Sequence, residues 1–344
     1  MIERLHVQYF RGFSDKSFEF GPVTVLVGNN GSGKTSVLEA ISLLSLTTSW
    51  KTEKDSEVIQ WGAPFTRVMS GDLELVIQNH PYLKRMRIDG VSKRAAQVIG
   101  YFPTVLFQPD DLQLLYGAPS GRRQYLDRAI SQTSAKYTRA VLQLQQVLKQ
   151  RNKLLKQINE GEAGEGQLPF WDGQLADLHL IIQEERKRFI EELQERVPSL
   201  FTEMVPGPEG ITIKYLISPH STEHDFLEHL TRNRHKEIAA GASLYGPHRE
   251  DIEVMWGEHP AQQSMSRGQS RSLMVAFKIA ELEFIGARTE QKPILLLDDI
   301  FSELDLDRRH RLFQVLGDYQ TIMTTTELGT VKDEVNKSAT IISL

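Results

Sequence analysis

Residues 23 to 35 read Val23-Thr24-Val25-Leu26-Val27-Gly28-Asn29-Asn30-Gly31-Ser32-Gly33-Lys34-Thr35. The first five are an uninterrupted β-branched and apolar run, the pattern of a strand buried on both faces. Six small or polar residues follow, and then Val37, Leu38, Ile41 and Leu44 fall at helical spacing. Strand, glycine loop and helix in that order predict a polyphosphate site. The backbone N–H groups of Gly28, Asn29, Asn30, Gly31, Ser32 and Gly33 converge on phosphate oxygens, and the helix opening at Lys34, Thr35 and Ser36 points its positive end at the same place. Lys34 reaches the outer phosphates, and the Thr35 hydroxyl is a ligand for Mg²⁺.

A metal-bound nucleotide also needs a carboxylate at the end of a neighbouring strand. The run Ile294-Leu295-Leu296-Leu297 delivers Asp298 and Asp299 there. Asp298 is the metal-shell candidate, while Asp299, facing the other way, is placed to orient or deprotonate an attacking water.

Outward from this pair, Ile2, Leu5, Val7 and Tyr9 alternate with polar residues, pass Gly12 and resume at Phe18 and Phe20, as in a hairpin. Residues 66 to 107 are strand-rich, most clearly at 73–77 and 105–107. From Leu126 to Ile158 the apolar steps are three, four or seven, which predicts one long amphipathic helix. Gly161, Gly164 and Gly166 break it, and Trp171 to Leu193 repeat the pattern up to Pro198. Residues 122 to 197 should therefore form an antiparallel helical pair, about 50 Å long at 1.5 Å per residue. Strands near 211–217 and 252–256 and a helix from about 269 to 285 complete the chain. The expected architecture is α/β, with a head assembled from residues 1–120 and 201–344 and a helical lobe inserted at 121–200.

With 344 residues, 40% hydrophobic and 25% charged, the chain is neither disordered nor collagen-like. The lack of Cys excludes disulfides, thiol nucleophiles and cysteine zinc sites. No apolar run approaches the ~18 residues of a membrane span, and the first residues lack the features of a signal peptide, so the cytoplasm is the expected address. A net charge of -5 gives no global attraction to nucleic acid, so such binding would need a local patch.

The segment Ser266-Arg267-Gly268-Gln269-Ser270 leads into a helix about thirty residues before the two aspartates. Ser and Gly at a helix start make a second anion site, although the chain already has its phosphate loop. The economical arrangement is a twofold dimer in which Ser266, Gly268 and Gln269 of one subunit close on the γ-phosphate held by the other.

The order of glycine loop, Ser-x-Gly-Gln segment, Asp298-Asp299 and Ser302-Glu303-Leu304-Asp305 resembles the ABC-type P-loop ATPase heads of SMC and Rad50 proteins. Phe107-Gln108-Pro109-Asp110-Asp111-Leu112, residues 121–127 and residues 245–251 extend the resemblance to the RecF family of recombination mediators, over nearly the whole chain. The short inserted lobe favours that family over Rad50. The resemblance implies ATP and Mg²⁺ as cofactors, an ATP-dependent homodimer, and slow, DNA-stimulated hydrolysis. It also implies binding to gapped or junction DNA and recombinase loading with RecR and RecO. It gives Gln108 a role in sensing Mg²⁺ or the water, and Asp305 a contact across the dimer. A Rad50-like tether regulating a nuclease and the motor subunit of a transporter are the alternatives.

Two departures stand out. Asp299 replaces the usual Glu and is one methylene shorter, so hydrolysis should be slow. Where transporters place a switch His, Thr324, Thr325 and Thr326 stand here, and that role stays unassigned. Arg11 is a possible phosphate contact, though a solvated hairpin arginine is the plainer reading. For DNA, Arg122, Arg123, Arg128, Lys136 and Arg139 open a basic run that continues through Lys149, Arg151, Lys153 and Lys156 with only Asp127 as an acid. Lys84, Arg85, Arg87, Lys93 and Arg94 form a second cluster. The alternative for the first is pairing with acids between Glu184 and Glu195 on the partner helix.

Overall fold

The computed structural model describes residues 1–207, 210–217, 222–302, 309, 317–327, 329 and 339–344. They divide into two compact units, Met1–Leu112 with Leu200–Pro206 and Arg267–Leu344, and Gln113–Ser199 with Gly207–Ser266.

The first unit begins with the hairpin β1 (Arg4–Phe10) and β2 (Phe13–Glu19), then β3 (Val23–Val27) and α1 (Lys34–Leu46). Next come β4 (Phe65–Ser70), β5 (Leu73–Gln78), β6 (Leu83–Ile88), β7 (Val91–Lys93), α2 (Ala95–Val98) and β8 (Thr104–Phe107). The second unit takes over with α3 (Gln113–Tyr116), α4 (Pro119–Ser131), α5 (Ala135–Asn159) and α6 (Leu168–Met204), the last of which ends in the first unit. It continues with β9 (Ile211–Leu216), α7 (Glu223–Ala240), β10 (Asp251–Trp256), β11 (His259–Pro260) and α8 (Ala261–Ser264). The chain returns to the first unit with α9 (Arg267–Thr289), β12 (Ile294–Leu297), β13 (Thr321–Thr325) and β14 (Thr340–Ser343).

The first unit holds an antiparallel sheet ordered β2-β1-β4-β5-β6-β7 and a parallel sheet ordered β14-β3-β13-β12-β8. α1 packs against strands of both. One core joins Leu5, Val7, Val68 and Leu75 of the first sheet, Val37, Leu38 and Ile41 of α1, and Leu26, Leu296 and Ile322 of the second. The uninterrupted run Ile294–Leu297 is buried at every position, as a central parallel strand requires.

In the second unit the predicted single helix from Leu126 to Ile158 is two, α4 and α5. Ser134 causes the break: its hydroxyl accepts the Tyr137 N–H and caps α5. In contrast, α6 runs through Pro198, where the pattern predicted an end. Buried Leu193, Val197, Leu200 and Phe201 keep the helical phase on both sides of the proline.

Residues 207–266 also group with the helices rather than with the expected head. Buried charge accounts for this. Arg151 of α5, 1% exposed, donates to Asp172 of α6 at 2.8 Å, to Glu237 of α7 at 2.6 Å and to the Ser243 hydroxyl at 2.8 Å. Arg186 of α6 donates to Asp127, the Tyr137 hydroxyl and the Pro247 carbonyl. Separating 207–266 from the helices would take Glu237 and Ser243 from Arg151 and the Pro247 carbonyl from Arg186, leaving buried guanidinium donors unmatched.

His248 and Arg249 both donate to the Ser243 carbonyl. His248 Nδ1 is buried without a partner, so burial holds the ring neutral and pulls its pKa down to about 4.

Two outcomes follow from this packing. Glu237→Gln should lower unfolding free energy by roughly 3 kcal/mol in a denaturant titration, because it leaves Arg151 under-neutralised. Since the folded pKa of His248 lies below the unfolded value of 6.5, its contribution is present above pH 6.5 and lost as pH falls toward 4. A His248→Gln protein should show a stability–pH slope flatter by up to about 1.4 kcal/mol per unit in that window.

Candidate functional site

The site is built where parallel strands end. β13 lies between β3 and β12, with Thr324 beside Leu26 and Met323 beside Leu297. The glycine loop after β3 and the aspartates after β12 therefore emerge on either side of the end of β13. β8 flanks β12, with Phe107 beside Leu297, and Asp298 donates its N–H to the Phe107 carbonyl. That places Gln108 level with Asp298.

The loop needs its glycines for space and for backbone sign. Gly33 precedes α1 with φ of 102°, and a Cβ there would stand 2.6 Å from the Phe13 ring. A Cβ on Gly28 would stand 2.4 Å from the Leu344 carbonyl. Asn29, Asn30 and Gly31 form the exposed crest, and Ser36 continues the first turn of α1. Lys34 is 8% exposed and donates to the carbonyls of Gly28 at 2.6 Å and Asn29 at 3.0 Å, leaving one of its three N–H donors for a ligand. The Ser32 hydroxyl is buried without a partner, a cost that an anion in the loop would remove.

Across the gap, the Thr35 hydroxyl donates to Asp298 Oδ1 at 2.8 Å. Two hard oxygen groups meeting this way fit Mg²⁺, which usually takes few protein ligands and fills the rest of its shell with phosphate and water. Among the described residues no cluster of three or more His, Cys, Asp or Glu could hold a metal unaided.

Sequence reasoning left Thr324 without a role, and the structure gives it one. Its hydroxyl accepts the Asp299 N–H at 2.9 Å and donates to Asp298 Oδ1 at 3.0 Å. One threonine thus fixes both aspartates, including the left-handed backbone of Asp299, whose φ is 51°. A second group without a sequence signal is Lys278 of α9, which is buried between Asp111 at 3.5 Å and Glu281 at 3.2 Å. Asp111 also accepts the Gln108 N–H at 2.8 Å, so the turn holding Gln108 is tied to α9.

Ser266 immediately precedes α9 and is exposed, and Gly268 and Gln269 lie in its first turn. Asp305 lies outside the described residues. Arg11 is not the solvated hairpin residue of the plainer reading. Its guanidinium makes a two-bond pair with buried Glu39 of α1 at 2.9 and 2.5 Å, and also donates to the Glu57 carbonyl.

Of the residues expected to meet DNA, two are used internally. Arg122 pairs with Asp251 through bonds of 2.7 and 2.6 Å, and that carboxylate raises its pKa. Arg123 donates to the Glu250 carbonyl, and burial holds its pKa down. Their partners lie more than 120 positions away, beyond the reach of a local charge count. Arg128 is half-buried, while Lys136 and Arg139 are exposed. In the second cluster, Lys84 pairs with Asp55 at 2.7 Å and Arg87 with Glu74 at 3.5 Å.

Thr324→Val should leave the Asp299 N–H without an acceptor and cost about 1–3 kcal/mol of stability, with Thr324→Ser close to wild type. Faster hydrogen exchange at the Asp299 amide in the valine variant alone checks the assignment.

Comparison with known proteins follows the same lines. The profile of the RecF/RecN/SMC N-terminal domain family matches residues 1–342. The DNA replication and repair protein RecF of Moorella thermoacetica is 36% identical over 336 residues, covering 95% of this chain and 90% of the relative. A solved structure of the recombination mediator protein RecF with ATP, in the RecFOR pathway, is similar with a TM-score of 0.88 and 30% identity, over 95% of this chain and 92% of that one. An Smc head bound to the C-winged helix domain of ScpA shares the fold, with a TM-score of 0.55 and 17% identity over 99% of this chain and 93% of that one.

Proposed function

Because the chain belongs to the RecF family of DNA replication and repair proteins, we propose that it is an ATP-gated DNA clamp that hydrolyses ATP slowly. The observation that carries this reading is the hydrogen bond from Thr35 to Asp298, which joins the phosphate loop to a strand-end carboxylate across 263 positions of sequence. No described helix is long and apolar enough to cross a membrane.

In this scheme the N–H groups of Gly28 to Gly33 hold the phosphates, and Lys34 exchanges loop carbonyls for phosphate oxygens. Thr35 and Asp298 hold Mg²⁺, which when bound neutralises charge on the phosphates. Asp299 orients the attacking water from a backbone fixed by Thr324, with Gln108 beside it. The short Asp side chain makes turnover slow. Ser266, Gly268 and Gln269, together with Asp305, complete the site from a second subunit, so ATP acts as part of the dimer interface. DNA carrying a gap or a single-strand/double-strand junction is held by the closed dimer, hydrolysis reopens it, and RecR and RecO take part in loading recombinase.

Lys34→Met should abolish ATP-dependent DNA retention. Ser266→Arg should keep nucleotide affinity within about twofold while losing the ATP-induced dimer, since one new side chain at an interface centre suffices to block closure. Light-scattering mass with a slowly hydrolysed ATP analogue, without and with added gapped duplex, checks the dimer and the retention in turn, and a Ser266→Arg protein that still dimerises would overturn the shared site.

A further inference from the structure

Helix α5 carries Lys136, Arg139, Lys149, Arg151, Lys153 and Lys156 and no acidic residue between Ala135 and Asn159. Arg151 turns inward to its buried acids. The other five are exposed, and among the described residues none of them has an ion-pair or hydrogen-bond partner. Glu184 and Glu185 of α6 pair with Arg188, and Glu191 with Lys187, all on α6 itself. In a protein of net charge -5 this is a segregated cationic face. Lys149, Lys153 and Lys156 recur once per turn, about 5 Å apart along the axis.

Beside that face, between α5 and α6, lies a groove of about 350 Å³ lined by Gln143, Gln146, Lys149, Gln150, Trp171 and Gln174. Gln143 donates to Gln174 at 3.2 Å, while among the described residues the carboxamides of Gln146 and Gln150 have no partner. Primary amides present a donor and an acceptor together, the complement of a heterocyclic base edge, and the half-buried indole of Trp171 lines the groove where a base face could stack. A base inside a duplex offers neither its face nor its pairing edge. An unstacked base in a single strand offers both.

We propose that α5 and this groove form a track for single-stranded DNA, with Lys136, Arg139, Lys149, Lys153 and Lys156 on phosphates and an unstacked base against Trp171. The proposal rests on the DNA-binding reading above and specifies the form of DNA that this lobe takes.

The test uses the full chain with ATP and a labelled oligothymidine strand, in parallel with a blunt duplex of equal length. Lys149→Gln combined with Lys153→Gln and Lys156→Gln should reduce the slope of log affinity against log salt by about 2 for the single strand, at about 0.7 per phosphate contact. Gln146→Glu with Gln150→Glu alters only exposed positions and should weaken single-strand binding about tenfold or more by putting carboxylates beside the base and backbone, with duplex binding unchanged within about twofold. The strand should quench tryptophan emission in wild type, and Trp171→Phe should remove that quenching. Wild-type single-strand affinity in the Gln→Glu pair, an unchanged salt slope, equal loss on the duplex, or competition by poly-glutamate as effective as by DNA would each overturn the track. If the wild-type protein binds neither DNA form, the reading beneath it fails as well, a result distinct from all of these.

Discussion

Parallel strands deliver all of their following loops to one edge of the sheet, and the chemistry of this protein depends on that constraint. β3, β12 and β8 end at the same level because the registers of the ladder put Leu26 beside Thr324, Met323 beside Leu297 and Leu297 beside Phe107. Lys34, Thr35, Asp298 and Gln108 are scattered along the chain, yet strand pairing brings them to one edge of the sheet, where Thr35 meets Asp298. The placement is as rigid as the buried apolar strands that enforce it.

The second unit solves a different problem with the same economy. Its helices bury two arginines, and each is surrounded by acceptors from several elements: Asp172, Glu237 and Ser243 for Arg151, and Asp127, Tyr137 and Pro247 for Arg186. Buried ion networks contribute little net stability over a well-packed apolar core, but they penalise every arrangement that misplaces one partner. Here that penalty selects the packing of 207–266 against the helices and leaves the outer face of α5 with charges that have no internal use.

Legibility from sequence followed the range of the interactions. The strand and helix on either side of the glycine loop, and the position of Asp298 and Asp299 directly after a buried strand, are local patterns, and the structure has them. The α5 start was also readable in principle, since Ser134 before a helical run is a capping signal that a long apolar periodicity masked. Thr324 was not readable, because its meaning comes from β13 being inserted between β3 and β12, and nothing in the triplet Thr324, Thr325, Thr326 singles it out. The internal pairing of Arg11, Arg122 and Arg123 was hidden for the converse reason. Their charge was visible, but Glu39, Asp251 and the Glu250 carbonyl that absorb it are brought near only by folding.

The unpaired cations of α5 also carry an energetic tension of their own. Five like charges along one helix repel one another, so the free protein holds a small electrostatic strain that mobile anions relieve. Raising ionic strength should therefore steady the ligand-free lobe while loosening any polyanion seated on it. Opposite responses of melting and of association to the same salt are the signature of a surface whose repulsion is kept in reserve for a guest.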